Sequence, residues 1–144
     1  MKHLLSKLFE KSIELGDEVY SEEQIQSNWL GDAPATLEEI RNTEERLQVQ
    51  LPEDYKEIVL LANGFPTCNN AVEPSFLPLD KMDYYRNYEW NAIEAWAEIL
   101  PELEYSIMIA GRDEEQQFLI IPPSTESEIW KYWKFANWIP GEEV

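Results

Sequence analysis

The stretch LPEDYKEIVLLANGF, Leu51 to Phe65, governs the reading of the whole chain. It opens on a proline, closes on Asn-Gly, and is too apolar between them for a surface loop. Pro52 suits the first position of a helix, where its missing N–H costs nothing. Glu53 and Asp54 fall in the first turn, where the helix dipole favours negative charge. Tyr55, Ile58, Val59 and Ala62 lie at i, i+3, i+4 and i+7, one continuous apolar face. Gly64, helped by Asn63, can take the left-handed conformation that closes a helix. Both ends are chemically specified, so the spacing predicts a helix that lays an apolar face on something flat.

Upstream the chain reads as helical. Leu4, Leu5, Leu8, Phe9 and Ile13 recur at helical spacing, with Gly16 as the stop. Ser21 and Gln24 have capping-box spacing, which starts a short second helix at Glu22. NWLGDAPAT is a turn-rich link. Thr36 and Glu39 form another capping box, and the helix after it runs to Leu47 with Leu37, Ile40 and Leu47 on one stripe. Glu44 falls on that stripe. A carboxylate on an apolar face is either buried with hydrogen-bond donors or functional.

Downstream the pattern changes to strands, which supply the flat partner. FLPLDKM is a short strand with Pro78 confining it to an edge. AIEAWAEIL is a short helix stopped by Pro101. YSIMIAG and QQFLIIP are apolar runs joined by RDEEQ, a hairpin. EIWKYWKFANW is aromatic and β-branched enough for the last strand. Helices first and strands later predict an α+β fold, a single domain with N-terminal helices on a mostly antiparallel, twisted sheet.

Composition fits one domain of 144 residues, long enough to bury roughly 70% of its unfolded surface without a disulfide or metal. Six Trp, seven Tyr and five Phe argue against disorder despite the charge. That charge, −18 from 29 acidic and 11 basic residues, repels nucleic-acid backbones and anionic membranes and would attract a basic partner. It also reads more simply as a solubility device. One cysteine, Cys68, allows no internal disulfide and fits a reducing compartment. Lys7, Glu10 and Lys11 interrupt any signal-peptide core, and no apolar run approaches the roughly 18 residues of a membrane span. The expected location is the cytoplasm.

Catalytic constellations are missing. A Ser-His or Cys-His nucleophile needs a histidine, and the only one is His3, in the first helix. Cys68 in PTCNN reads as structural or inert. There are too few Cys and His for zinc, no EF-hand spacing and no glycine-rich phosphate loop. The expectation is no cofactor and no enzymatic activity. In EIWKYWKFANW, Trp133 and Phe135 read as core, whereas Trp130 and Tyr132 read either as core or as an aromatic patch for a partner. Asp113, Glu114 and Glu115, at the hairpin tip, are the other partner-binding candidates, because a turn presents three charges together without burying them.

The residues from Asn28 to Gly141 resemble the SUKH superfamily, which includes fungal cell-wall-synthesis regulators of the Smi/Knr type and many bacterial immunity proteins. The resemblance rests on an ordered set: Trp29, Gly31, Glu44, Leu51, Pro52, Tyr55, Asn63 and Gly64, then FLPLDKMDYYRN and the Trp-rich EIWKYWKFANWIPG. Residues 1–27 have no counterpart and stand as an N-terminal helical extension. Relatives in this branch continue beyond the Pro-Gly, whereas this chain stops at Val144. The resemblance implies a non-enzymatic binder, an immunity protein that neutralises a toxin in the cytoplasm by direct contact. Such toxins are frequently nucleases, whose substrate faces are basic. The alternatives are an intracellular regulatory or scaffold protein like the fungal members and, third, a carboxylate-dependent enzyme.

Overall fold

The computed structural model describes residues 1–15, 20–66, 74–125, 127–136 and 138–143. Cys68 and Gly16 lie outside the described residues. The helices are α1 (Lys2–Leu15), α2 (Glu22–Ser27), α3 (Leu37–Leu47), α4 (Glu53–Val59), α5 (Tyr85–Tyr88) and α6 (Trp90–Trp96). The strands are β1 (Asp83–Tyr84), β2 (Ile107–Ala110), β3 (Gln117–Ile121), β4 (Lys131–Ala136) and β5 (Ile139–Glu143). They form one sheet in sequence order, antiparallel at every step. The α+β architecture is as the sequence predicts.

Period-two alternation places two cores on the two faces of that sheet. Ile107, Ile109 and Ile120 join Ile40, Leu47, Leu51, Tyr55 and Val59 of the α3–α4 layer. Met108, Leu119, Ile121, Trp133 and Phe135 join Tyr85, Ile93 and Leu103 on the opposite face. Helical layers thus cover both faces, one built before the sheet and one inserted between β1 and β2. This explains the rings on both sides of β4: Trp133 and Phe135 are core, as expected. A bulge at Ile109, between the pairs Met108–Leu119 and Ala110–Phe118, bends β2 near the hairpin.

Both capping boxes form. Ser21 and Thr36 accept from the backbone N–H groups of Gln24 and Glu39, whose side chains return to the cap residues. Other expectations are corrected. Leu37, in the first turn of α3, is 71% exposed, so the buried stripe starts at Ile40. Pro52 is the N-cap of α4 in extended backbone (ψ 141°), one residue before the helix proper. The helix ends at Val59 on a right-handed Leu60, before Asn63-Gly64. Gly64 does have positive φ (113°), but for another reason: its carbonyl accepts from Asp32, and an added Cβ would stand 2.6 Å from the Asp32 Oδ2.

The stretch FLPLDKM is not a strand. Only Phe76 bridges, to Phe65 and Ala110. Pro78 cannot donate to a ladder and instead opens a 3-10 turn over Leu79–Lys81. Likewise α6 ends at Trp96, short of Leu100, and Pro101 opens a 3-10 turn over Pro101–Tyr105. The last strand is not the aromatic one: β5 follows it and pairs Trp133 with Glu143 and Ala136 with Ile139. The α1 stripe is only partly buried. Phe9 is fully enclosed beside Leu30, Ala62 and Phe65, whereas Leu4, Leu8 and Ile13 are exposed. The buried side of α1 thus belongs to a third cluster, with Tyr20, Trp29 and Leu30 on either side of α2.

A candidate partner-binding groove

The eight signature residues converge on the junction of α3, α4 and the loops around them. The Glu44 side chain is 10% exposed; its Oε1 accepts the Leu51 N–H at 2.9 Å and meets Lys56 Nζ at 2.9 Å. The expected burial and backbone donor are present. Lys56, twelve residues on and with no spacing that pairs it with Glu44, is the added partner. Contact with Glu44 first, and Glu53 second, raises the Lys56 ammonium above the ordinary lysine range. Leu51, Pro52 and Tyr55 are buried behind this tie. Asn63 Oδ1 accepts the Leu79 N–H at 2.8 Å and ties the 3-10 turn to the loop after α4. Trp29 packs edge-on to Phe65 (centroids 5.7 Å), and Gly31 is pressed so close to Ala62 and Trp29 that a Cβ would lie within 3 Å of both.

Signature residues therefore build the scaffold, and what the scaffold positions is a groove. Tyr55 and Ile58 of α4, Phe76, and Ile109, Phe118 and Tyr132 of the sheet enclose about 240 Å³ of almost wholly apolar space. Phe76 and Phe118 meet at 5.8 Å between ring centroids. A second apolar space shares Tyr55, Ile58 and Phe76 with it and is lined also by Met1 and by Leu5 of α1. Burial drives the Tyr55 hydroxyl far above the usual tyrosine range, and its proton is directed at Met82 Sδ (3.2 Å). Burial first, and then Asp54, does the same for Tyr132, whose hydroxyl donates to Asp54 Oδ1 at 2.8 Å. Both phenols stay neutral through the physiological range.

The proposed partner-binding residues lie at opposite ends of the β3–β4 ladder. Tyr132, opposite Ile120, is half-buried and lines the groove; Trp130, beyond that end of β4, is half-buried against the α3–α4 core. Asp113, Glu114 and Glu115 are exposed at the far end, beyond the Gln117–Phe135 pair. The tip is tied down: both Glu114 carboxylate oxygens accept the Ser75 N–H, at 3.3 and 3.1 Å, beside Phe76. Asp113 has positive φ (63°), lies 3.8 Å from Arg112 Nε, and is 90% exposed in its side chain. Tyr132 thus lines the groove, and the tip is tied through Glu114 to Ser75, the residue before the lining Phe76. Ile58, Phe76 and Phe118 were not among the candidates. They come from α4, a loop and β3, and no spacing in the sequence joins them.

Among the described residues no three His, Cys, Asp or Glu stand together as a metal site, and no helix is long and apolar enough to cross a membrane. A comparison with curated proteins gave no match. The family model described as SMI1 / KNR4 family (SUKH-1) matches residues 34–143, from the link before α3 to the end of β5. That match covers the two-faced sheet, the helical layers on it and all signature residues after Gly31; the chain belongs to the SMI1 / KNR4 family (SUKH-1).

Proposed function

We propose that the protein is a non-enzymatic binder whose partner is a basic protein surface, and that it acts in the cytoplasm as an immunity protein neutralising a toxin domain. One observation carries the reading: an aromatic, apolar groove whose Tyr132 is bonded to Asp54 and whose Phe76 follows the Ser75 that ties the acidic hairpin tip, in a chain of net charge −18. Interfaces that bind well combine a desolvated aromatic centre with a polar rim, and opposite charge steers the encounter. Membership of the family is compatible with this role, because the SUKH resemblance implies toxin-neutralising members. Co-purification from the native cell tests it. Recovery of a basic toxin domain, released by mutation of the groove, supports the reading. Recovery of a cell-wall-synthesis component points to the regulatory role instead, and turnover of an ester, phosphate or glycoside substrate abolished by one carboxylate change refutes a pure binder.

A further inference from the structure

Resting on the reading of this groove as the partner site, we propose that it receives one arginine side chain of the partner, its methylenes against Ile58 and Ile109, with the guanidinium over the rings of Phe118 and Tyr132 and directed at Asp54. Size is the first reason. At about 240 Å³ the groove is smaller than the roughly 300–1,000 Å³ of small-molecule sites, and suits a single protruding side chain. Lining is the second. Ile58 and Ile109 offer apolar walls for methylenes, while Phe76, Phe118 and Tyr132 offer ring faces, the combination that suits a side chain with an apolar stem and a charged head.

A third reason is that the rings already meet a cation. Lys134 Nζ stands 5.9 Å from the Phe118 centroid, so this ring already attracts a positive charge, and an arriving guanidinium competes with Lys134 for it. Asp54 supplies the fourth. Its Oδ1 accepts both the Tyr132 hydroxyl and the Tyr55 N–H, at 2.8 and 3.0 Å, while its Oδ2 accepts none of the described hydrogen bonds. An arginine N–H can take that oxygen without displacing anything. Arginine is favoured over lysine because a planar, weakly hydrated guanidinium both stacks on rings and bonds a carboxylate.

Two model compounds test this by amide NMR titration of the intact protein: N-acetyl-arginine methylamide and its neutral isostere N-acetyl-citrulline methylamide. The arginine compound is expected to shift amides of residues 54–58, 118–120 and 132–134 and to bind about fivefold or more tighter than citrulline. Phe118→Leu, which keeps an apolar side chain and removes the ring, should erase that preference in a variant whose melting curve shows it folded. Lys134→Gln should tighten arginine binding, since a competing cation leaves the ring. Equal affinity for the two compounds, shifts confined to other acidic surfaces such as the first turn of α2, or a preference that survives Phe118→Leu would each overturn the proposal. The co-purified partner reports separately on the broader reading. If arginine binds as described but the partner is indifferent to Phe118→Leu, the cage stands and the groove is not the partner site. If the partner needs Phe118 but arginine and citrulline bind alike, the groove stands and its occupant is not arginine.

Discussion

Glu44 shows how one side chain fastens two helices. It sits on the buried side of α3, and both its partners lie across the turn, at the entry and on the second turn of α4. Removing it leaves the Leu51 N–H unpaired and Lys56 with the exposed Glu53 as its remaining described partner. Glu44→Ala is therefore expected to destabilise by about 1–3 kcal/mol, measured by urea unfolding. Unchanged stability would show that solvent replaces the carboxylate. The same pair gives a pH signature. The folded-state value of Lys56 is raised, so its contribution is fully present below the ordinary value of 10.5 and disappears as pH rises through the folded value. Stability should thus fall in the alkaline range more steeply for the wild type than for Lys56→Met. Parallel curves would contradict it.

Gly64 is the second informative residue. The Asn-Gly pair made a positive φ legible, but its use was hidden, because the close approach of Asp32 comes from a loop some thirty residues upstream. Gly64→Val meets both the strained backbone and that carboxylate, and should cost about 1–3 kcal/mol, visible as a fall in Tm. Glu44 was legible because a carboxylate breaks an apolar stripe conspicuously. Lys56 was not, because lysines on an outer helix face are ordinary in sequence.

Elements were legible where local chemistry closes on itself. Thr36 and Glu39 specify the start of α3 within four residues, and the RDEEQ turn joins β2 to β3 as its flanking apolar runs require. Thr36→Ala should lower stability by about 1 kcal/mol by the loss of the cap, with little change in the sheet's spectroscopic signal. An unaltered Tm would mean that packing of Ile40 and Leu47 alone fixes the helix. Elements were missed at two prolines, Pro78 read as part of an edge strand and Pro101 as a helix stop: each begins a 3-10 turn, since a fixed φ suits a tight turn as well as a strand edge or a helix end. The β5 strand, IPGEE, follows the segment read as the last strand. Its proline and glycine lower strand propensity, and only pairing with β4 makes it a strand. An edge strand carrying Pro140 has one fewer N–H to offer a neighbouring chain, which protects the sheet from edge-to-edge pairing.

At the scale of the molecule, the sequence made plain the sign of the charge, the α+β class and the aromatic wealth of β4. The groove was beyond it. Its residues meet only because α4 lies across one sheet face and Phe76 bridges back to Ala110, contacts that span residues 55 to 132. Two cores on one sheet also mean that large-to-small changes on either face should be costly. Phe135→Ala, in the face covered by α5 and α6, is expected to lose about 3–5 kcal/mol while leaving the groove's lining intact. Loss of partner binding in a still-folded Phe135 variant would place the interface on the wrong face.

The central claim is that an acidic, aromatic groove binds a basic protein surface, and rates test it most directly. Association with the co-purified partner should be measured from 0.01 to 0.1 M salt, across which the screening length falls from about 30 Å to about 10 Å. The wild type should associate more slowly as salt rises, with dissociation little affected, because charge steers the encounter and packing sets the residence time. Neutralising Asp113, Glu114 and Glu115 together should flatten the salt dependence, and Phe118→Leu should speed dissociation without touching it. A salt-independent association rate, or dissociation unchanged by loss of the Phe118 ring, would contradict the claim.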